Sequence, residues 1–63
     1  MARSRSEFAY SEMEGAVKEL KRLGTQLNRQ LKEHRSGKLP NLYETVKEID
    51  QKVLTLKANV REL

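Results

Sequence analysis

Apolar positions in the second half of the chain fall at Leu39, Leu42, Val46, Ile49, Val53, Leu56, Val60 and Leu63, in alternating steps of three and four. That spacing is the signature of an α-helix that buries one stripe, sustained over about three and a half heptads. Val46, Val53 and Val60 take the a positions, and Leu42, Ile49, Leu56 and Leu63 take d. The first half has the same rhythm at Tyr10, Met13, Val17, Leu20, Gly24, Leu27 and Leu31. Gly24 therefore occupies an a position, although Gly in a helix interior costs roughly 1 kcal/mol relative to Ala. Ala16 and Leu23 widen the stripe on its g side, a breadth that suits a bundle better than a narrow two-stranded seam.

Between the halves lies the stretch HRSGKLPN. Gly37 marks a helix C-terminus with basic residues in the turn before it. Asn41 followed by Glu44 has the form of a capping box, and Pro40 suits a helix start. At the front, Ser4 with Glu7 and Ser11 with Glu14 both offer N-caps, and Gly15 weakens the segment between them. The chain thus reads as one domain: a flexible basic arm over 1–5, a helix over about 6–35, a turn over 36–40 and a second helix over about 41–63.

The two heptad patterns specify each other. In an antiparallel hairpin an a layer meets a d layer, which pairs Leu31 with Leu42, Leu27 with Val46, Gly24 with Ile49 and Leu20 with Val53. The same register pairs Val17 with Leu56, Met13 with Val60 and Tyr10 with Leu63. Its centre falls between Ser36 and Gly37, where the turn signals are, and such agreement between levels is what a foldable sequence shows. It also sets Lys21 near Asp50, and the missing side chain of Gly24 leaves room for Ile49 or lets a second hairpin approach closely. The expected fold is all-α, an antiparallel two-helix hairpin. A lone hairpin would leave Ala16, Leu23, Tyr43 and Leu54 partly bare, so two are expected to dimerise into a four-helix bundle. The rival is one long parallel coiled coil, against which Gly37 and Pro40 argue.

Composition removes several function classes. There is no cysteine and a single histidine, His34, so neither a disulfide nor a metal constellation is expected. No nucleophile stands beside a base and no glycine-rich phosphate loop is present, so the chain reads as non-enzymatic and without a cofactor. His34 belongs near a helix end, where its charged form would favour the dipole. No apolar run reaches the roughly 20 residues of a membrane span, and no signal peptide follows the N-terminus. A cytoplasmic location is expected. Charged residues make up 35% of the chain, but the regular apolar stripe argues for folding rather than disorder.

The net charge of +4 is unevenly spread. Lys18, Lys21, Arg22, Arg29, Lys32, Arg35 and Lys38 stand against only Glu19 and Glu33 between residues 18 and 38. Lys18, Lys21, Arg22, Arg29 and Lys32 fall within one arc of the first helix, nearly opposite its apolar stripe. With Arg3 and Arg5 in the arm, they are the candidate phosphate contacts of a nucleic-acid-binding face. The bland alternative is a solvated helix face. Asn28, at an e position, can hydrogen-bond across the helix interface. Aromatics, at 5%, are too few for a base-stacking platform.

The segment ELKRLGTQLNRQL resembles the helical segment of MobC-type plasmid mobilisation proteins. Leu20, Lys21, Arg22, Leu23, Gly24, Leu27 and Asn28 match that segment, while Thr25, Gln26 and Arg29 depart from it. The resemblance implies an accessory role in assembling a relaxase complex on plasmid transfer-origin DNA. In architecture and size the hairpin is also similar to the repressor-of-primer type of plasmid protein, a dimer of helical hairpins that binds paired RNA loops. The function expected is a small nucleic-acid-associated accessory or regulatory protein, in mobilisation or replication control. The alternative is a protein-interaction or structural bundle module whose basic face only confers solubility, with Tyr43 and Leu54 as contact residues.

Overall fold

The computed structural model describes residues 5–63. Helix α1 runs Arg5–Arg35 and helix α2 Leu42–Val60. They pack against each other as an antiparallel hairpin, and among the described residues there is no strand. The molecule is a rod of 54 × 14 × 13 Å. None of its described helices is long and apolar enough to cross a membrane.

The turn follows from its residues. Gly37 adopts a φ of +94°, in the left-handed region that favours glycine. Its N–H donates to the His34 carbonyl at 3.1 Å, and the Lys38 N–H donates to the Glu33 carbonyl at 3.0 Å. Together these bonds form a Schellman ending, which satisfies carbonyls that the last turn of α1 would leave unpaired. Asn41 caps α2, its side chain accepting from the Glu44 N–H at 3.1 Å. The second helix ends at Val60 rather than continuing to Leu63. At the front, α1 runs unbroken through Ser11 and Gly15, so Ser11 does not start it. Ser4 lies outside the described residues.

Packing differs from the a/d expectation by a rotation. The buried apolar residues are Ala9, Ala16 and Leu23, all at g positions, and the buried polar residue is Thr45, at g in α2. The d residues Met13, Leu20, Leu27, Leu42, Ile49 and Leu56 are half-buried, as is Val53. Tyr10, Val17, Leu31, Val46, Val60 and Leu63, expected in the core, are exposed. Gly24 is exposed too, and a Cβ built there would meet nothing within 4 Å, so no room for Ile49 is needed within the hairpin. The physical reason lies in side-chain size. At Ala9, Ala16 and Thr45 the g side chain is smaller than the a side chain beside it, Tyr10, Val17 and Val46, and at these steps the small residue turns inward and the bulky one out; Leu23 beside Gly24 runs the other way.

Axial register is pinned by one polar contact. The Thr45 hydroxyl donates to Gln30 Oε1 at 2.6 Å and accepts from Gln26 Nε2 at 3.0 Å. Gln26 and Gln30 straddle Thr45 at the level that the pairing of Leu27 with Val46 requires. Among the described residues no buried side-chain nitrogen or oxygen lacks a partner. An unpaired polar group there would cost roughly 1–3 kcal/mol, so a slip along the seam is penalised.

Both a rows swing to the same side, because antiparallel helices mirror their angular order across the seam. One broad face of the rod therefore carries the d residues as a floor and the exposed a residues as walls. The elongated shape and this open face together enlarge the surface. The chain exposes 5255 Å², whereas a folded monomer of 7.3 kDa typically exposes about 4,200 Å².

Candidate nucleic-acid interface

With the g row as the seam, the b, e and f rows of α1 point away from α2, and the basic residues occupy those rows. The structure divides them into two groups. Lys18, Lys21 and Lys32 are exposed and enter no ion pair among the described residues. Arg22 and Arg29 are engaged. The Arg22 guanidinium donates to Glu19 Oε2 through Nε at 3.1 Å and Nη2 at 2.9 Å. It also donates through Nη1 to Gln26 Oε1 at 3.4 Å, and lies 3.8 Å from Glu48 of α2. Arg29 Nε stands 3.7 Å from Glu33 Oε1. Exposed pairs of this kind are worth about 0–1 kcal/mol each. They do not immobilise the arginines, but a phosphate would meet carboxylates already in place.

The expected arm is also divided. Arg5 is the first residue of α1, not part of an arm, and its Nη1 lies 3.7 Å from Glu62 Oε2. That contact ties together the two helix ends opposite the turn. Arg3 lies outside the described residues. Lys21 and Asp50 form no ion pair, because both sit at e positions on opposite outer flanks of the hairpin. Asn28 is exposed, and the side-chain hydrogen bonds across the interface are made by Gln26, Gln30 and Thr45 instead.

Arg35 and Lys38, absent from the sequence-based candidates, are exposed and form no ion pair among the described residues. Arg35 joins Asn28, Leu31, Lys32 and His34 around an open groove of about 560 Å³ near the turn. On α1 and the turn the unpaired positive charge runs from Lys18 and Lys21 through Lys32 to Arg35 and Lys38; in the second half Lys47, Lys57 and Arg61 are likewise exposed and, among the described residues, unpaired. The signal for the split was local in part: Glu19 to Arg22 and Arg29 to Glu33 are spacings of three and four on one helix. Glu48 comes from α2, beyond any local pattern.

The apolar face borders this basic side. Tyr10, Met13, Val17 and Leu63 line a shallow depression of about 320 Å³ whose rim carries Glu14, Lys18 and Lys21. Among the described residues no group of His, Asp and Glu is gathered that could hold a metal ion. Comparison with protein-family models, with curated proteins and with solved structures finds no match to this chain.

Proposed function

We propose that two hairpins associate through their apolar faces and that the dimer is a non-enzymatic, nucleic-acid-associated accessory or regulatory protein. The observation that carries the nucleic-acid reading is the run of exposed, unpaired cations from Lys18 and Lys21 to Lys32, Arg35 and Lys38. Phosphates are its natural counterpart, and contact with them releases counterions and makes affinity fall with salt. Dimerisation draws support from the exposed a row, where Tyr10, Val17, Leu31, Val46 and Val60 stand uncovered on one face.

The resemblance to mobilisation proteins fits this division of labour. Of the shared residues, Leu20, Leu23 and Leu27 face the packed side, while Lys21 and Asn28 face solvent. An accessory role on plasmid or mobile-element nucleic acid is the specific form of the proposal. The test is a gel-shift series with duplex DNA and hairpin RNA across a range of salt. Binding at low salt that weakens as salt rises supports it, and K18E/K32E should remove binding without loss of helicity. No binding by the unaltered protein at low salt overturns it.

A second reading rests on Tyr43 and Leu54, which are 75% and 55% exposed on α2. These residues would mark a protein-interaction module. It requires that Tyr43→Ser and Leu54→Ser abolish partner capture while the gel-shift series stays blank.

A further inference from the structure

The apolar face admits a second copy in two arrangements related by a two-fold axis. In one, the turns share an end and α1 lies on α2 of the second copy. In the other, the turns point in opposite directions and each helix lies antiparallel on its own counterpart. Side-chain volume separates them.

With the turns together, each layer is a hairpin pair doubled. Gly24 and Ile49 would meet a second Gly24 and Ile49, while Tyr10 and Leu63 would meet a second Tyr10 and Leu63. One layer would be left hollow and another overfilled, and close-packed interiors tolerate neither. With the turns opposed and an a position over each d position, the layers mix sizes. Gly24 lies against Met13 of the second copy, Tyr10 against Leu27, and Val17 against Leu20. On α2, Ile49 lies against Val60 of the second copy and Val53 against Leu56.

Gly24 gains a role here that the hairpin alone does not supply. Nothing lies within 4 Å of a Cβ placed there, so the space above it is open. An unbranched, flexible methionine suits such a gap. The register is set by charge. The e positions flank this interface, and they bring Glu14 beside Lys21 of the second copy and Asp50 beside Lys57. A slip of one heptad would set Lys21 against Lys21 and Asp50 against Asp50. Glu14 and Lys21 already share the rim of the depression that Tyr10, Met13 and Val17 line.

We infer that the second copy lies antiparallel on the apolar face, α1 on α1 and α2 on α2, with Met13 of one copy filling the space over Gly24 of the other. This inference rests on the dimer proposed above. The full chain contains no cysteine, so introduced pairs report cleanly. Sedimentation first establishes the dimer; a monomer at all concentrations would overturn the proposed association itself. In a dimer, mild oxidation of E14C/K21C should yield a covalent dimer, and oxidation of K21C/D50C should not. Both pairs of sites flank the a and d layers, so the apolar packing is kept, and the layer of Gly24 and Met13 holds the register that the lost charges supported. The reverse result, or no cross-link from E14C/K21C in a demonstrated dimer, would overturn the arrangement. A second measurement probes the layer. Gly24→Leu should cause loss of the dimer, and adding Met13→Ala should restore it. Rescue by Ile49→Ala in place of Met13→Ala would point to the turns-together arrangement instead.

Discussion

Along α1, the row Ala9, Ala16 and Leu23 is sealed against α2, while the row one residue onward, Tyr10, Val17, Gly24 and Leu31, stands in solvent. The two rows share a seven-residue period and differ in bulk at most steps. Short side chains close the hairpin at Ala9 and Ala16, and Leu23 fills the seam between them and the Thr45 contact. The bulkier row is left to a surface that the single chain does not cover. Hydrophobicity alone would have ranked Leu31 above Ala16 as a core residue, and their burial runs the other way.

The most disruptive change would strike the sealed row. Leu23→Ala should destabilise the hairpin by about 2–4 kcal/mol, since it empties the largest fully buried side chain. Urea unfolding followed by circular dichroism would measure it; a cost as small as that of a surface substitution would mean that the a row is the true seam. Next comes the polar pin. Thr45→Val keeps the shape but leaves Gln26 and Gln30 without their shared hydroxyl, at about 1–3 kcal/mol. Thermal melts at high dilution should register the loss.

Substitution in the open row should behave differently. Val17→Ser should leave the helicity of the dilute hairpin unchanged and weaken self-association by about 1–2 kcal/mol per copy, read by sedimentation equilibrium. Equal damage to monomer helicity would erase the contrast between the rows. The smallest effect separates the two groups of cations. Lys32→Ala should lower the slope of log affinity against log salt by about 1, whereas Arg22→Ala, already offset by Glu19 and Glu48, should lower it less. A larger effect at Arg22 would place the phosphates on the other flank of α1.

Much of the scaffold was legible beforehand, for local reasons. Gly37 needs a positive φ, Asn41 and Glu44 form a cap over three residues, and steps of three and four impose helices. The axial register was legible as well, because the centre of the apolar pattern coincides with the turn. Rotation about the helix axes was not. A period states how often apolar residues recur, but the row that becomes a seam depends on how closely the other helix can come. The candidate interface divided along the same line. Lys18, Lys21 and Lys32 stand exposed as the arc of charge predicted, whereas the engagement of Arg22 depends partly on Glu48, which only the folded hairpin brings near.

The position of the Thr45 pin has a kinetic consequence. It joins residues 15 and 19 apart in sequence, close to the Schellman ending and the Asn41 cap. The loop-closure cost rises only with the logarithm of loop length, and local contacts form quickly. The hairpin is thus wired to close from its turn outward, like a zip. Leu23 and then Ala16 and Ala9 add successive teeth, and the contact between Arg5 and Glu62 closes last and opens first.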